Sequence, residues 1–290
     1  MQPEIDFFKV SGAGNDFLLI DNLNGIWNVD WPAFAIATCS RPFGVGADGI
    51  LVLEASEKAD FLMRYFNADG SFGGMCGNGG RCVSRYASEK GVSGALVRFE
   101  ACGSIYEAIV KRDTVQLRMP DITGFPVRTQ FKADQGEVLN GWFIDTGSPH
   151  VVIPADNLQQ VEVEKIGTSI RNNQQFNSAG VNVNFYEKGR DGGLALRTFE
   201  RGVEAETLAC GTGAVATALV SSGVDGTIPP ARIRVQSGEQ LVVTFRRTGT
   251  GFTDLSLEGT AHFLFAGTVT FDTVTGTLSE QRIHATESGR

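Results

Sequence analysis

Basic charge is scarce in this chain, and so is cysteine. Lys and Arg number 25 against 33 Asp and Glu, leaving a net charge of −8 and a pI near 5.0. That excludes a nucleic-acid surface, which needs a basic patch. The five cysteines, Cys39, Cys76, Cys82, Cys102 and Cys210, are odd in number and widely scattered. They form no disulfide framework and point to a reducing, cytoplasmic setting. No Cys-x-x-Cys or His-x-x-x-His pair occurs, so no metal site is expected. No apolar run approaches the ~18 residues of a membrane span, and the first twenty residues lack a signal-peptide pattern, so no membrane partner is expected. What the chain does have is length and glycine. Its 290 residues, 42% hydrophobic with 36 glycines, suffice for two modest domains of a turn-rich α/β or α+β protein.

Read for periodicity, the chain runs strand-rich, helical, strand-rich, twice. Strands are predicted near 4–10 and 16–21, around the loop Ser11-Gly12-Ala13-Gly14-Asn15. Asp30 can N-cap a helix that runs through Pro32 to Cys39. Strands near 49–54 and 60–66 lead to a first cysteine helix, and 95–119 reads as a meander turning at Cys102-Gly103 and Lys111-Arg112-Asp113. The second half repeats the order, with strands near 141–146 and 150–153, a helix near 161–171, and strands near 180–187 and 193–199. A second cysteine helix and a meander over 231–271 follow. Aligning Phe66 with Phe199 brings Cys76 and Cys210 into register with a single gap, the mark of a duplicated domain. The expected division is 1–122 and 123–267, with 268–290 returning to the first domain or lying loose.

The two cysteine helices carry the same device. Cys76-Gly77-Asn78-Gly79 and Cys210-Gly211-Thr212-Gly213 each set a thiol one step ahead of a Gly-x-Gly, and Cys210 follows Cys76 by 134 positions. Gly91 and Gly223 are the expected C′ caps. The second helix is apolar nearly all round, so a sheet must wrap it. A helix N-terminus offers unpaired N–H groups and partial positive charge. Glycines there let a ligand reach the backbone, and a carboxylate is a natural guest. The same dipole lowers the pKa of the adjacent thiol. Two such cradles facing one substrate would flank its α-carbon with two sulfurs. One thiolate would take the α-proton and the other thiol would return one to the opposite face, with N–H dipoles stabilising the carbanion. Cys39, Cys82 and Cys102 read as structural. His262 and His284 carry no argument. The Gly44–Gly49 run opens no helix and is no nucleotide loop.

The ordered motifs together resemble the diaminopimelate epimerase family over nearly the whole chain. They are Gly12-Ala13-Gly14-Asn15-Asp16-Phe17, Gly44-Val45-Gly46-Ala47-Asp48-Gly49, Phe66-Asn67-Ala68-Asp69-Gly70-Ser71, Met75-Cys76-Gly77-Asn78-Gly79-Gly80-Arg81-Cys82, Val181-Asn182-Val183, Glu200-Arg201-Gly202 and Ala209-Cys210-Gly211-Thr212-Gly213. The resemblance implies two pseudo-symmetric α+β domains, each a curved, barrel-like mixed or antiparallel sheet around a central helix. It implies cofactor-independent interconversion of LL- and meso-diaminopimelate for lysine and cell-wall precursors, by a cytoplasmic protein that commonly dimerises. Cys76 and Cys210 would be the acid–base pair, assisted by His150 and Glu200. Backbone groups at Gly77, Asn78, Gly211 and Thr212 would hold the reacting carboxylate. Asn15, Asn67, Ser148, Asn182, Glu200 and Arg201 would contact the substrate, chiefly at its distal end. Two departures stand out: Gly147-Ser148-Pro149-His150 has Ser where the family often has Asn, and Glu200–Thr207 is one residue longer than the commonest form. The rivals are a proline racemase, whose first motif typically has His at the position of Asn78, and a redox or binding protein built on a reversible Cys76–Cys210 disulfide.

Overall fold

The computed structural model describes residues 2–132, 138–171, 173, 175, 176 and 180–284. The chain divides into two compact units, Met1–Leu117 with Thr260–Arg290, and Arg118–Gly259.

In the first unit, β1 (Glu4–Gly12) and β2 (Asn15–Asn22) form a hairpin closed by the pair Gly12 and Asn15. Its two-residue turn, Ala13-Gly14, has φ of 56° and 103°. That is the geometry that matches the twist of the flanking strands, and it favours glycine, asparagine and aspartate at both positions. Helix α1 (Trp31–Cys39) begins where Asp30 accepts the Ala33 N–H at 3.2 Å, with Pro32 in its first turn. Then come β3 (Gly49–Glu54), β4 (Phe61–Asn67), α2 (Gly77–Glu89), β5 (Leu96–Ala101), β6 (Ser104–Val110) and β7 (Val115–Arg118). The second unit holds β8 (Ile122–Thr123), β9 (Val127–Lys132), β10 (Val138–Asp145), β11 (Pro149–Pro154), a short 3₁₀ turn and α3 (Val163–Arg171). It continues with β12 (Asn182–Lys188), β13 (Leu194–Glu200), β14 (Ala205–Thr207), α4 (Gly211–Val224), β15 (Ala231–Arg234), β16 (Gln240–Arg247) and β17 (Gly251–Gly259). The chain then re-enters the first unit as β18 (His262–Asp272) and β19 (Thr277–His284).

The duplication is written in the pairing pattern. In the first unit β1–β2 is antiparallel, β2–β3 parallel, β3–β4 antiparallel, β4–β5 parallel, β5–β6 and β6–β7 antiparallel. In the second, β10–β11, β11–β12, β12–β13, β13–β15, β15–β16 and β16–β17 repeat that series of directions. Even the outermost partner matches, since β18 flanks β1 as β9 flanks β10, both antiparallel. Register agrees residue by residue: Phe17 lies opposite Gly49, and His150 opposite Asn182.

Each sheet wraps one cysteine helix. Helix α2 touches β1 through β6, and α4 touches β10, β11, β12, β13, β15 and β16. Six flat strands would span about 24 Å, twice the width of a helix, so both sheets must curl. Among the described residues neither curl closes into a barrel, because no pairing within a unit joins its two edge strands. Ala214, Val215, Ala216, Ala218, Leu219 and Val220 of α4 are buried completely, each large side chain contributing about 1.5–3 kcal/mol. Helices α1 and α3 cover the outer faces; Trp31 and Phe34 pack with Ile50, Val52 and Phe271, and Val163 and Ile170 with Val183 and Phe199. Strand β3 is thereby buried on both faces, which explains its unbroken apolar run Ile50–Leu53.

Two expectations are corrected. Gly91 does follow the C-cap of α2 with φ 74°, but Gly223 lies inside α4; the left-handed residue after its C-cap Asp225 is Gly226, φ 66°. The helix runs on through Ser222, Gly223 and Val224, beyond the buried run that ends at Ser221, and stops where the Asp225 N–H donates to Ser221 O and Gly226 takes the left-handed conformation. Cys102 is exposed rather than packed, at the tip of the β5–β6 hairpin. Of the final polar stretch, 277–284 returns as β19 alongside β18, and 285–290 lies outside the described residues.

Candidate functional site

Cys76 and Cys210 are each the N-cap of their helix, in extended conformation at φ −112° and −123°. The first intrahelical bonds are Gly80 N–H to Cys76 O at 2.7 Å and Ala214 N–H to Cys210 O at 2.9 Å. The amides of Gly77, Asn78, Gly211 and Thr212 precede them, so helical geometry provides no acceptor for those four. Cys76 Sγ accepts the Gly79 N–H at 3.4 Å, and Cys210 Sγ lies 3.6 Å from Thr212 Oγ1. Cys76 is half-buried and Cys210 buried, and among the described residues no disulfide is formed. Space is tight at both third helical positions, and tightest at Gly213. A Cβ on Gly79 would press on Leu51 of β3, and one on Gly213 would overlap Asn184 Oδ1 of β12 while lying 3.3 Å from Cys210 Sγ.

A polar chain supports the first terminus. Asn78 Nδ2 donates to Asn15 Oδ1 at 2.5 Å, Asn15 Nδ2 donates to Asp48 at 3.0 Å, and Arg81 Nη2 donates to Asn78 Oδ1 at 2.8 Å. The side chain of Asn78 is thus tied down, leaving its backbone N–H as the group on offer. Asp48 and Asp16 share Arg41 at 2.8 Å, and Lys9 reaches Asp16 at 2.6 Å. Burial pushes the Asp16 carboxyl up, but the bonds from Arg41 and Lys9 outweigh it and hold it below the usual range. The Gly12–Phe17 and Gly44–Gly49 motifs therefore meet as one clamp. Arg81, the fifth residue of α2, is completely buried; the motif Met75–Cys82 contains it, but no role was expected of it.

Beneath the second terminus the floor is different. Asn184 Nδ2 donates to Val151 O and approaches His150 Nδ1, both at 3.0 Å, and Asn184 Oδ1 accepts from Thr198 Oγ1 at 3.0 Å. His150 is fully buried; desolvation first, and the Arg201 charge second, push its pKa down to about 3. The imidazole is neutral at any physiological pH. Asn182 clips three segments: Nδ2 donates to Ser148 Oγ at 2.9 Å and Pro149 O at 3.3 Å, and Oδ1 accepts the Arg201 N–H at 2.9 Å. Ser148, in place of the longer amide, is thus an acceptor for Asn182. Glu200 ends β13 and accepts from Thr207 Oγ1 at 3.0 Å. The loop that follows turns with Gly202 at φ 92° and Glu204 at φ 59°, where Arg171 holds Glu204 at 2.9 Å. Glu200 keeps its strand position, opposite Ala205. Asn67 ends β4 at the equivalent place and donates to Ser71 Oγ at 2.9 Å.

Within the first unit, then, Asn15 and Asn78 meet at the Cys76 helix, and within the second, Ser148, Asn182 and Arg201 meet at the strand ends beside His150. Asn184, Thr198 and Arg81 were missed, because a lone Asn or Thr in an apolar strand carries no pattern; the duplication could have exposed them, since their counterparts Leu51, Tyr65 and Val215 differ in polarity. Among the described residues no cluster of His, Cys, Asp and Glu has the arrangement to hold a metal ion, and no helix is long and apolar enough to cross a membrane.

Comparison with known proteins gives the arrangement a lineage. The diaminopimelate epimerase of Chlorobaculum tepidum is 45% identical over 265 residues, covering 90% of this chain and all of that protein. The diaminopimelate epimerase of Aquifex aeolicus is 37% identical over 281 residues, covering 91% and 97%. Among solved structures, a hydroxyproline epimerase from Agrobacterium vitis superposes with a TM-score of 0.69 at 16% identity over 94% of each chain. A PhzF-family phenazine biosynthesis protein from Bacillus anthracis superposes at 0.67 and 16%, over 92% of this chain and 99% of that one; at such identities the likeness is one of fold. The family profile for diaminopimelate epimerase matches residues 7–122 and 142–262, and the chain belongs to the diaminopimelate epimerase family.

Proposed function

We propose that this chain interconverts LL- and meso-2,6-diaminopimelate, without a cofactor, by moving protons between two cysteines. The observation that carries the reading is the duplicated N-cap: a thiol and two amides without an intrahelical acceptor at the head of each buried helix. The Sγ thiolate of one cysteine removes the α-proton. The C–H electron pair moves into the carboxylate, whose enediolate charge is stabilised by the amides of Gly77, Asn78, Gly211 and Thr212 and by the helix dipoles. The thiol of the other cysteine then protonates the opposite face, which inverts the centre and leaves the thiol and thiolate exchanged. His150 and Glu200 assist the two cysteines. Asn15, Asn67, Ser148, Asn182, Glu200 and Arg201 serve the substrate, with acid and guanidinium suited to the charges of its second amino-acid end. The product suits lysine and cell-wall precursor synthesis in a reducing cytoplasm, which keeps both thiols competent. Self-association as a homodimer belongs to the same reading, and sedimentation velocity checks it.

The test is solvent exchange in D2O with reduced protein and LL-diaminopimelate. The reading requires α-deuterium incorporation with inversion in the wild type, and loss of epimerisation in both Cys76→Ala and Cys210→Ala. Exchange with proline but not diaminopimelate would keep the thiols and discard the substrate. No exchange with any amino acid would overturn the reading.

A further inference from the structure

The two cysteine helices rest on floors that the duplication made equivalent and that now differ in chemistry. In the first unit the ladder positions beneath α2 are Phe17, Leu51 and Tyr65, with the two rings edge to face at 5.7 Å. The same positions beneath α4 are His150, Asn184 and Thr198, joined side chain to side chain. Asn184 touches the catalytic end of its helix, since a Cβ on Gly213 would overlap its Oδ1 and lie within contact of Cys210 Sγ.

The bonds of Asn184 determine which way its amide faces. Val151 O is an obligate acceptor, so the atom at 3.0 Å from it must be the NH₂. Thr198 Oγ1 donates to the other end. One N–H of Asn184 goes to Val151 and the remaining one points at His150 Nδ1 at 3.0 Å. A neutral imidazole that accepts at Nδ1 carries its proton at Nε2. That Nε2 is buried and has no hydrogen-bond partner in the protein, an arrangement that costs free energy until an acceptor arrives.

We infer that Asn184 is a positioning residue that holds His150 in the Nε2–H tautomer, so that the ring serves the α4 site as a hydrogen-bond donor to an arriving anion and not as a base. Burial keeps the ring neutral, so it has a single N–H to give and Asn184 decides where that N–H is. The first unit has no counterpart at these positions, so the two cysteines work over unlike floors: Cys76 over Phe17, Leu51 and Tyr65 with Arg81 in its helix, Cys210 over a neutral donor.

The tautomer is read by long-range ¹H–¹⁵N spectroscopy of histidine-labelled protein, with His150 assigned through His150→Gln; His262 and His284 are exposed. Wild-type protein is expected to show a protonated Nε2 and an unprotonated Nδ1. Asn184→Asp keeps the shape but replaces the donor with an acceptor, so it should move a proton onto Nδ1. It should also lower kcat on the order of 100-fold with little change in KM, as loss of a histidine-orienting partner does. A proton on Nδ1 in the wild type overturns the inference without any variant. So does an Asn184→Asp enzyme that changes the ring pattern at full kcat, or that loses kcat with the ring pattern unchanged. The consequence for kcat rests on the two-thiol reading; failure of that reading appears separately, as a wild type that exchanges no diaminopimelate while its ring pattern stands.

Discussion

A few side chains carry burdens their neighbours do not. His150 folds neutral with a pKa of about 3, whereas an unfolded histidine takes its proton near 6.5. Below about pH 6.5 the unfolded chain therefore binds a proton that the folded chain refuses. Stability falls as pH drops toward the folded value, by up to about 1.4 kcal/mol per pH unit from this group. Urea titrations at pH 7.5 and 5.0 should show a smaller stability loss for His150→Gln than for the wild type; an equal loss would mean that the folded ring does take the proton. Gly213 is the other sensitive position. Because a Cβ there meets a strand side chain held by three hydrogen bonds, Gly213→Ala should cost about 1–3 kcal/mol. It should also lower kcat, as measured by urea midpoint and epimerase rate together.

At the level of elements, the helices show how local signals and packing divide the work. Asp30, Cys76 and Cys210 begin helices where their side chains or extended backbones make good N-caps. Gly223 and Gly226 both offer α4 a stop, and it is Gly226 that takes the left-handed conformation after the C-cap Asp225. That ambiguity is testable. Gly223 is exposed, helical and has open space where a Cβ would go, so Gly223→Ala should stabilise by about 0.5–1 kcal/mol. Gly226 sits at φ 66°, so Gly226→Ala should destabilise by about 1 kcal/mol. Thermal unfolding of the two variants should move Tm in opposite directions; equal shifts would contradict the assigned helix end.

On the scale of the molecule, the first unit depends on both ends of the chain. Strand β18 pairs with β1 from Glu4 against Thr270 to Ser11 against His262, and brings Val269 and Phe271 into the core with Ile5 and Phe7. Each such side chain buries about 1.5–3 kcal/mol of apolar surface. A chain stopped after Gly259 should lose hydrogen-exchange protection of the β1 amides, while β11–β13 amides of the second unit keep theirs; persistent β1 protection would show that β18 is dispensable. The closing contact spans 266 positions, from Glu4 to Thr270, so the first unit should complete its fold late.

By itself the sequence determined the duplication, the helix starts, the hairpins and the pair of cysteine N-caps, together with the motifs that mark the family. All of these are local: a cap, a two-residue turn or an alternation acts within a few positions of its own residue. Tertiary structure alone decided the rest. It joined Asn15, Asp48 and Asn78 from three motifs, turned Asn182 into a clip for Ser148 and Arg201, and buried Arg81 and His150. It also placed a single asparagine where it chooses the proton of a histidine 34 positions away. Those roles arise from sheet register and from the close approach of a glycine to a neighbouring strand. Such contacts belong to pairs of residues far apart in the chain, and no periodicity within either segment encodes them.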